Sequence, residues 1–351
     1  MGRSFVVGKS MWRFILRRLL LMIPTFFGIT LVCFLLLRVA NADPIAADLQ
    51  AGVRGAQISQ ELLEHLRKLY DLDQPWYVQY GRLVKRLATL DFGTRWQDGR
   101  PILEVLGEAL PVTLLLSFSS LFLSYLVAVP IGVYAAVRQY SLLDQSLTVA
   151  LFVLYSLPSY WVGTVLLLFL SSGQVLNCSW MEQPGCFPMQ GWHVFQGFSE
   201  LGWWQKVGDV MWHLALPLVT LTYGSLASLS RYMRTGMLET IRQDYIRTAR
   251  AKGLSERAVI FKHALRNSLI PIVTLLGLQI PYLIAGSVIV EMVFGVRGMG
   301  LVALEALRLP DYPLVVTVVA CTSVLTMFGI LLSDILYAVV DPRISYQGGH
   351  N

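Results

Sequence analysis

The segment from Asp244 to Asn267, DYIRTARAKGLSERAVIFKHALRN, is a basic, polar run between two long apolar windows. The wider stretch 231–269 contains nine basic residues: Arg231, Arg234, Arg242, Arg247, Arg250, Lys252, Arg257, Lys262 and Arg266. One charged side chain at the centre of a bilayer costs about 2.5 to 3.5 kcal/mol, so this stretch is excluded from lipid. The sequence therefore predicts membrane spans on both sides of a cytoplasmic loop.

The composition is that of a membrane protein. The chain has 351 residues, of which 55% are hydrophobic and 14% are charged, whereas roughly a quarter of the residues in a soluble domain are charged. The net charge of +6 could indicate nucleic-acid binding, but the basic residues flank apolar windows, as orientation signals do. The lipid bilayer is therefore an expected partner and nucleic acid is not.

Six apolar windows are long enough to cross about 30 Å of hydrocarbon, which takes roughly 20 helical residues. They lie near 19–39, 110–136, 146–171, 211–230, 270–293 and 313–340. The predicted fold is an all-α membrane protein with six transmembrane helices. Its expected parts are a first span with the N-terminus (1–39), a hydrophilic region (40–109), and a five-helix core (110–351) with loops 172–210 and 231–269.

The distribution of Lys and Arg predicts the orientation, because cytoplasmic loops retain these residues. If six spans alternate, the basic N-terminal segment and the 231–269 loop lie on the same side of the membrane. The opposite short loops contain only Lys206, Arg297 and Arg308. Both termini are therefore expected in the cytoplasm.

The hydrophilic region 40–109 is expected to contain two short helices. ISQELLEHLRKLYDL places Ile58, Leu62, Leu66 and Leu69 on one helical stripe, and QPWYVQYGRLVKRL begins with Pro75, which a first helical turn tolerates. The alternative is a solvated spacer.

The cysteines divide by location. Cys33 and Cys321 lie in predicted spans, where a thiol behaves as a small apolar group. Cys178 and Cys186 lie in the 172–210 loop on the predicted oxidising side, so a disulfide between them is expected. Two unpaired loop thiols are the alternative.

Within the basic stretch, the residues around Gly253 predict a helix, a tight corner and a second helix. Glycine adopts the left-handed conformation that ends a helix, and Ser255 can cap a helix whose first turn contains Glu256. The small side chains of Ala249 and Ala251 would let another surface come close. A docking site for a second protein is one interpretation, and an ordinary basic loop facing anionic lipid headgroups is the other.

The motif RTARAKGLSERAVIFKHAL resembles the cytoplasmic loop of ATP-binding-cassette (ABC) importer permeases. That consensus runs Glu-Ala-Ala, three residues, Gly, nine residues, then an apolar residue or His, any residue, Leu and Pro. Aligned on Gly253, these positions fall on Arg247, Thr248, Ala249, His263, Leu265 and Arg266. The replacement of Glu and Pro by Arg is typical of the oligopeptide and dipeptide (peptide/nickel) branch.

Further motifs along the chain are similar to the B-type subunit of peptide permeases. They are LDQPWYVQY, LDFG, LPVTLLLS, SLPSYWVG, HLALP, EMVFGVRGMG, YPLV and VDPR. Arg297 stands where Pro is common in the EMVFGVRGMG turn, which puts the rigidity of that turn in doubt.

The resemblance implies a type I ABC importer permease of the bacterial inner membrane with a helical periplasmic insertion between the first two spans. It implies no nucleotide site in this chain, with ATP and Mg held by two separate ATPase subunits or one fused ATPase. The other implied partners are a second, different permease and a periplasmic solute-binding protein. The residues that would couple the chain to the ATPase are Arg247, Thr248, Ala249, Arg250, Ala251, Lys252, Gly253 and Leu254.

Polar and kink-forming residues inside the spans are candidates for a solute path. Pro158 and Pro281 free backbone carbonyls, while Ser156, Ser159 and Gln279 offer hydrogen bonds inside apolar windows. Helix packing is the alternative role for all five.

Ionisable residues offer few further sites. Glu291 and Asp334 lie near span ends, where a capping or interfacial role is favoured over substrate contact. His213 is expected to be an interfacial residue and His263 a loop residue, and no metal site is expected.

The leading functional hypothesis is a permease subunit of an ATP-driven importer for peptides or similarly sized solutes. Related permeases carry nickel or glycosides, which stay open as alternatives. A secondary transporter usually has ten or more spans in repeated halves, and a non-transporting scaffold would use the basic loop only for recruitment.

Overall fold

The computed structural model describes residues 2–40, 74–95, 98–171, 186–194, 196–308 and 311–340, which are helical apart from turns and one isolated β-bridge between Thr94 and Pro101. In chain order the helices are α1 (Gly2–Ala40), α2 (Trp76–Ala88), α3 (Ile102–Val137), α4 (Leu142–Ser156), α5 (Ser159–Leu170), α6 (Trp203–Ile241), α7 (Asp244–Ala251), α8 (Glu256–Ala258), α9 (Leu265–Gln279), α10 (Tyr282–Ala285), α11 (Val288–Val293), α12 (Met299–Arg308) and α13 (Tyr312–Val340). A 3-10 turn, Phe198–Glu200, precedes α6, and a π-helical turn, Val259–Ala264, joins α8 to α9.

Long apolar helices account for the predicted membrane spans. Five are long and apolar enough to cross a bilayer: Phe14–Val39, Ile102–Val137, Trp203–Ile241, Glu256–Gln279 and Pro313–Ile335. The sixth candidate is the pair α4 and α5, which is bent by 98°. The predicted all-α fold with six spans is therefore confirmed when the bent pair counts as one span.

The third predicted span, 146–171, is interrupted at Leu157 and Pro158. Proline has no N–H to continue the ladder and pushes the residue before it out of the helical region, and Leu157 is extended (φ −83°, ψ 132°). The Tyr223 hydroxyl of α6 donates to the Leu157 carbonyl at 2.8 Å. A neighbouring helix thus satisfies a backbone group that the bend sets free.

The fifth predicted span, 270–293, is not one continuous helix. Helix α9 ends at Gln279, and the one-turn helix α10 lies in the interrupted segment Ile280–Ser287 before the short helix α11. Gly286 has φ +73°, a conformation that helices do not use. Hydropathy alone does not register such a break, because the residues on both sides of it are equally apolar.

The second of the two helices predicted in 40–109 is confirmed, and the first falls outside the described residues. Helix α2 begins directly after Pro75, which is its N-cap residue. The run that contains Ile58, Leu62, Leu66 and Leu69 is not described.

The chain forms two compact units, one from Met1–Leu110 and Val302–Leu331 and the other from Pro111–Leu301 and Leu332–Asn351. In the first unit, the Tyr80 hydroxyl of α2 donates to the Phe27 carbonyl of α1 at 2.9 Å. Also in this unit, the buried Arg95 guanidinium donates twice to Asp98, at 3.1 and 2.8 Å.

The second unit contains two hydrophobic clusters. The corner cluster consists of Val133, Ala136, Met233, Met237, Ile246, Ala249, Val259, Ile260, Ala264 and Ile272. The turn cluster consists of Val112, Leu116, Leu214, Leu216, Val290, Phe294 and Val296. Both clusters draw on α3 and α6, at positions along each helix that are well separated.

Helices α3 and α6 approach closely at Gly132. A methyl group at this glycine would lie 2.5 Å from Cβ of Met233 and 2.6 Å from the carbonyl oxygen of Ser230. These distances are too short for any real contact, and one of the two atoms belongs to the backbone. The glycine therefore sets the α3–α6 distance beside the corner cluster.

We predict that Gly132→Ala destabilises the protein by about 1 to 3 kcal/mol, the usual effect of overpacking a core. Gly107→Ala in the same helix is the matched control, because nothing lies within 4 Å of its added methyl group. Thermal unfolding in mild detergent should show a lower midpoint for the first variant and an unchanged or higher one for the second. Equal midpoints would contradict the tight contact.

Candidate coupling site and membrane path

The corner around Gly253 has the predicted geometry of helix, tight corner and helix. Gly253 has φ +77°, its N–H donates to the Arg250 carbonyl at 2.9 Å, and the Leu254 N–H donates to the Ala249 carbonyl at 3.4 Å. These two bonds form the Schellman motif that closes a helix. Ser255 then caps α8, since its hydroxyl oxygen accepts from the Ala258 N–H at 3.4 Å.

The candidate coupling residues 247–254 divide into one buried and seven exposed positions. Exposed are Arg247, Thr248, Arg250, Ala251, Lys252, Gly253 and Leu254, and the apolar side chain of Leu254 is 42% exposed. Ala249 is only 7% exposed and belongs to the corner cluster. The expectation that Ala249 offers its methyl group to a partner is therefore wrong, because Ile246 and Ala249 anchor α7 inside this chain.

Arg250 pairs within its own chain. Its guanidinium donates from Nη2 to Oε1 of Glu256 at 2.7 Å and from Nε to Oε2 at 3.2 Å. The hydrogen bond to Glu256 raises the pKa of Arg250 above its usual value. Sequence reasoning missed this pairing with Glu256 across the corner.

A second link ties α7 to α9. The Asn267 side-chain amide donates to the Tyr245 hydroxyl at 2.7 Å, so the start of α7 is also bonded to α9.

An ion pair between the buried Asp144 and the half-buried Arg234, which sequence reasoning missed, holds the start of α4 to α6. Asp144 is 2% exposed, and its Oδ2 accepts from Arg234 Nη2 at 2.8 Å and from the Tyr140 N–H at 2.9 Å. Ser141 caps α4 by accepting from the Asp144 N–H. The spacing of Ser141 and Asp144 at the start of an apolar run is a signal for the helix cap. No signal in the sequence points to Arg234, which is 90 positions away.

The five path candidates lie at the two helix breaks. Ser156, Pro158 and Ser159 surround the bend between α4 and α5, while Gln279 and Pro281 lie where α9 ends. Ser156 and Gln279 are exposed. Their role in a solute path stays a prediction.

Glu291 is the most enclosed ionisable residue of this region, with 0% of its surface exposed. Its Oε1 accepts from the Thr113 hydroxyl at 3.2 Å and from the Ser287 N–H at 3.3 Å, and its Oε2 accepts from the Leu301 N–H at 2.8 Å. Thr113 in turn accepts from the Met299 N–H at 2.8 Å. The favoured capping role is therefore confirmed, because Glu291 and Thr113 satisfy the free amides at the start of α12.

Glycines enclose the Glu291 carboxylate. An added methyl group would lie 2.6 Å from Oε1 at Gly286, 2.8 Å from Oε2 at Gly298 and 3.0 Å from Oε2 at Gly300. The EMVFGVRGMG turn thus folds around one carboxylate, and its glycines leave room for the close approach.

The remaining predicted sites are cysteines and histidines. Cys186 is disulfide-bonded and Cys33 and Cys321 are free thiols; the Cys178–Cys186 pairing stays a prediction, since Cys178 lies outside the described residues. Nδ1 of the buried His213 lies 2.9 Å from the Asp209 carbonyl oxygen, and His263 lies in the π-helical turn. Among the described residues, no three His, Cys, Asp or Glu side chains are grouped to hold a metal ion.

The fold defines the class of protein: a multi-pass, all-helical membrane protein with a polar corner between two of its helices. The family of inner membrane components of binding-protein-dependent transport systems matches residues 128–346, and the chain belongs to this family. It is therefore a permease subunit of an ABC importer of the inner membrane, a class that works with an ATPase and a substrate-binding protein.

Relatives and a solved structure agree with this assignment. The chain is 38% identical to the oligopeptide transport system permease protein AppB of Bacillus subtilis (strain 168), covering 95% of this chain and 99% of the relative. It is 35% identical to the dipeptide transport system permease protein DppB of Escherichia coli (strain K12), covering 96% and 100%. A chain of the inward-facing MetNI methionine ABC transporter shares the fold, with TM-score 0.50, 18% identity and coverage of 69% and 98%.

We predict that Glu291→Gln destabilises the protein by about 2 kcal/mol, because an amide NH₂ would face a backbone N–H that then lacks an acceptor. Glu239→Gln, the same chemical change at an exposed site of α6, should have little effect. Chemical unfolding in detergent measures both. Equal stability of the two variants would show that the turn does not depend on the carboxylate.

Proposed function

We propose that the chain is a permease subunit of an ATP-driven importer for peptides or peptide-like solutes, fed by a periplasmic binding protein. The relatives named as oligopeptide and dipeptide permeases, similar over nearly their whole length, support the solute class. The observation that carries the mechanism is the corner, which presents Lys252, Gly253 and Leu254 to solvent and is closed by its own hydrogen bonds.

The corner is suited to act as a coupling element for a separate ATPase. Ile246 and Ala249 on its buried side pack with Met233 and Met237 of α6 in the corner cluster. A displacement of the corner would therefore move the end of α6 with it, since packed interiors transmit strain. ATP and Mg would be bound by the ATPase subunits, two separate chains or one fused chain.

The two helix breaks suit a path for peptides. Irregular backbone at membrane depth is tolerated where protein buries it or where it lines a water-filled cavity. The breaks carry exposed Ser156 and Gln279, which can hydrogen-bond a peptide backbone without fixed charge. A second, different permease subunit would complete such a path, with both termini of this chain in the cytoplasm.

The test is uptake into proteoliposomes that contain the chain purified with its ATPase and sister permease, with ATP on the ATPase side and binding protein outside. We expect uptake of labelled di- to oligopeptides that requires ATP. If nickel or a glycoside reduced the uptake of labelled peptide and unlabelled peptides did not, the peptide assignment would be refuted. Uptake without the ATPase would instead indicate a secondary transporter. No uptake under any condition would indicate a scaffold.

We predict that Gly253→Val reduces ATP-dependent uptake at least about tenfold, because a β-branched residue at positive φ is strained by about 1 to 3 kcal/mol. Nothing lies within 4 Å of the added Cβ, so only the backbone conformation is disturbed and insertion should be unchanged. Gly253→Asn is the matched control, since Asn tolerates this conformation. Normal transport by the valine variant would refute the lever mechanism.

A further inference from the structure

The corner is held on two faces. On its buried face, Ile246 and Ala249 of α7 share the corner cluster with Val259 and Ile260. On its solvent face, Arg250 in the last turn of α7 reaches Glu256 in the first turn of α8. The chain between them passes through the left-handed Gly253, the most permissive residue of the corner.

The Arg250–Glu256 ion pair is bidentate. Two nitrogens of one guanidinium donate to two oxygens of one carboxylate, at 2.7 and 3.2 Å, which fixes orientation as well as distance. The side chains are 40% and 58% exposed. An exposed pair adds little to global stability, so variants that lose it are expected to fold.

We propose that Arg250 and Glu256 are positioning residues that clamp the coupling corner. The clamp keeps α7 and α8 from bending about Gly253, so a push on Leu254 is carried into the corner cluster. The Arg250 charge is then paired with Glu256 of the same chain. The surface left for an ATPase consists of Arg247, Thr248, Ala251, Lys252 and Leu254. This inference rests on the proposed importer function.

The first test is a charge swap in the complete transport complex, with ATP hydrolysis and uptake measured together. Arg250→Glu and Glu256→Arg should each reduce uptake about tenfold, a usual size for a coupling effect, while ATP hydrolysis persists. The double variant Arg250→Glu/Glu256→Arg should recover to within about threefold of the parent, because a pair in contact is not additive. Arg257→Glu, the same charge change on an exposed neighbour, is the control and should transport normally.

Two results would overturn the clamp. A double variant as poor as Arg250→Glu alone would mean that Arg250 contacts a partner instead of Glu256. Single variants that transport normally would mean that the pair has no role in coupling. If the charge-reversal variants prevent assembly of the complex, Arg250→Lys and Glu256→Gln take their place. Each keeps the approximate size of the side chain but loses the bidentate ion pair.

A second measurement does not depend on transport. Spin labels at Thr248→Cys and Phe261→Cys, two exposed positions on either side of the corner, report the α7 to π-turn distance in a Cys33→Ala/Cys321→Ala background. Arg250→Glu should broaden the distance distribution and the double reversal should narrow it again. An unchanged distribution would overturn the clamp, whereas a parent complex without ATP-dependent uptake would overturn only the importer function.

Discussion

Every backbone N–H and C=O inside a bilayer needs a partner in the protein, because the hydrocarbon offers none. Continuous helices meet this constraint by themselves, and most of this chain is built of them. At the two interruptions the partners come from side chains. The Tyr223 hydroxyl donates to the Leu157 carbonyl. After the second break, Glu291 and Thr113 accept from backbone amides. The breaks are thus built into the fold by specific hydrogen bonds.

Local chemistry made much of this structure predictable from the sequence. Hydropathy placed five of the six spans, and the left-handed preference of Gly253 with the capping preference of Ser255 placed the corner. Long-range partners were not predictable. Asp144 and Arg234 are 90 positions apart and Thr113 and Glu291 are 178 apart, and no periodicity connects them. The burial of Ala249 was missed for a similar reason, since its neighbours in the corner cluster come from α6 and the π-helical turn.

Small residues set how closely the helices of the second unit approach. Gly132 lets α3 reach the backbone of α6. Further along α6, a methyl group at Gly236 would lie 3.4 Å from the Ser268 carbonyl of α9. Lipid tails are as apolar as leucine, so close packing and hydrogen bonds hold such helices together. The Ser268 hydroxyl, 2.9 Å from the Met237 sulfur, adds a polar contact at the same crossing.

The two clusters lie far apart along the same pair of helices. Residues 112 and 133 of α3 contribute to different clusters, and at 1.5 Å per residue they lie about 30 Å apart. Helices α3 and α6 run unbroken between the clusters and keep them in register. The connection from α9 to α11 is different. Helix α9 contributes to the corner cluster and α11 to the turn cluster, but the segment Ile280–Ser287 between them is not a continuous helix. Continuous helices resist a change in the distance between the clusters. Under the proposed coupling, a force applied at the corner would be relieved first at Ile280–Ser287, where the ladder of backbone hydrogen bonds is already interrupted.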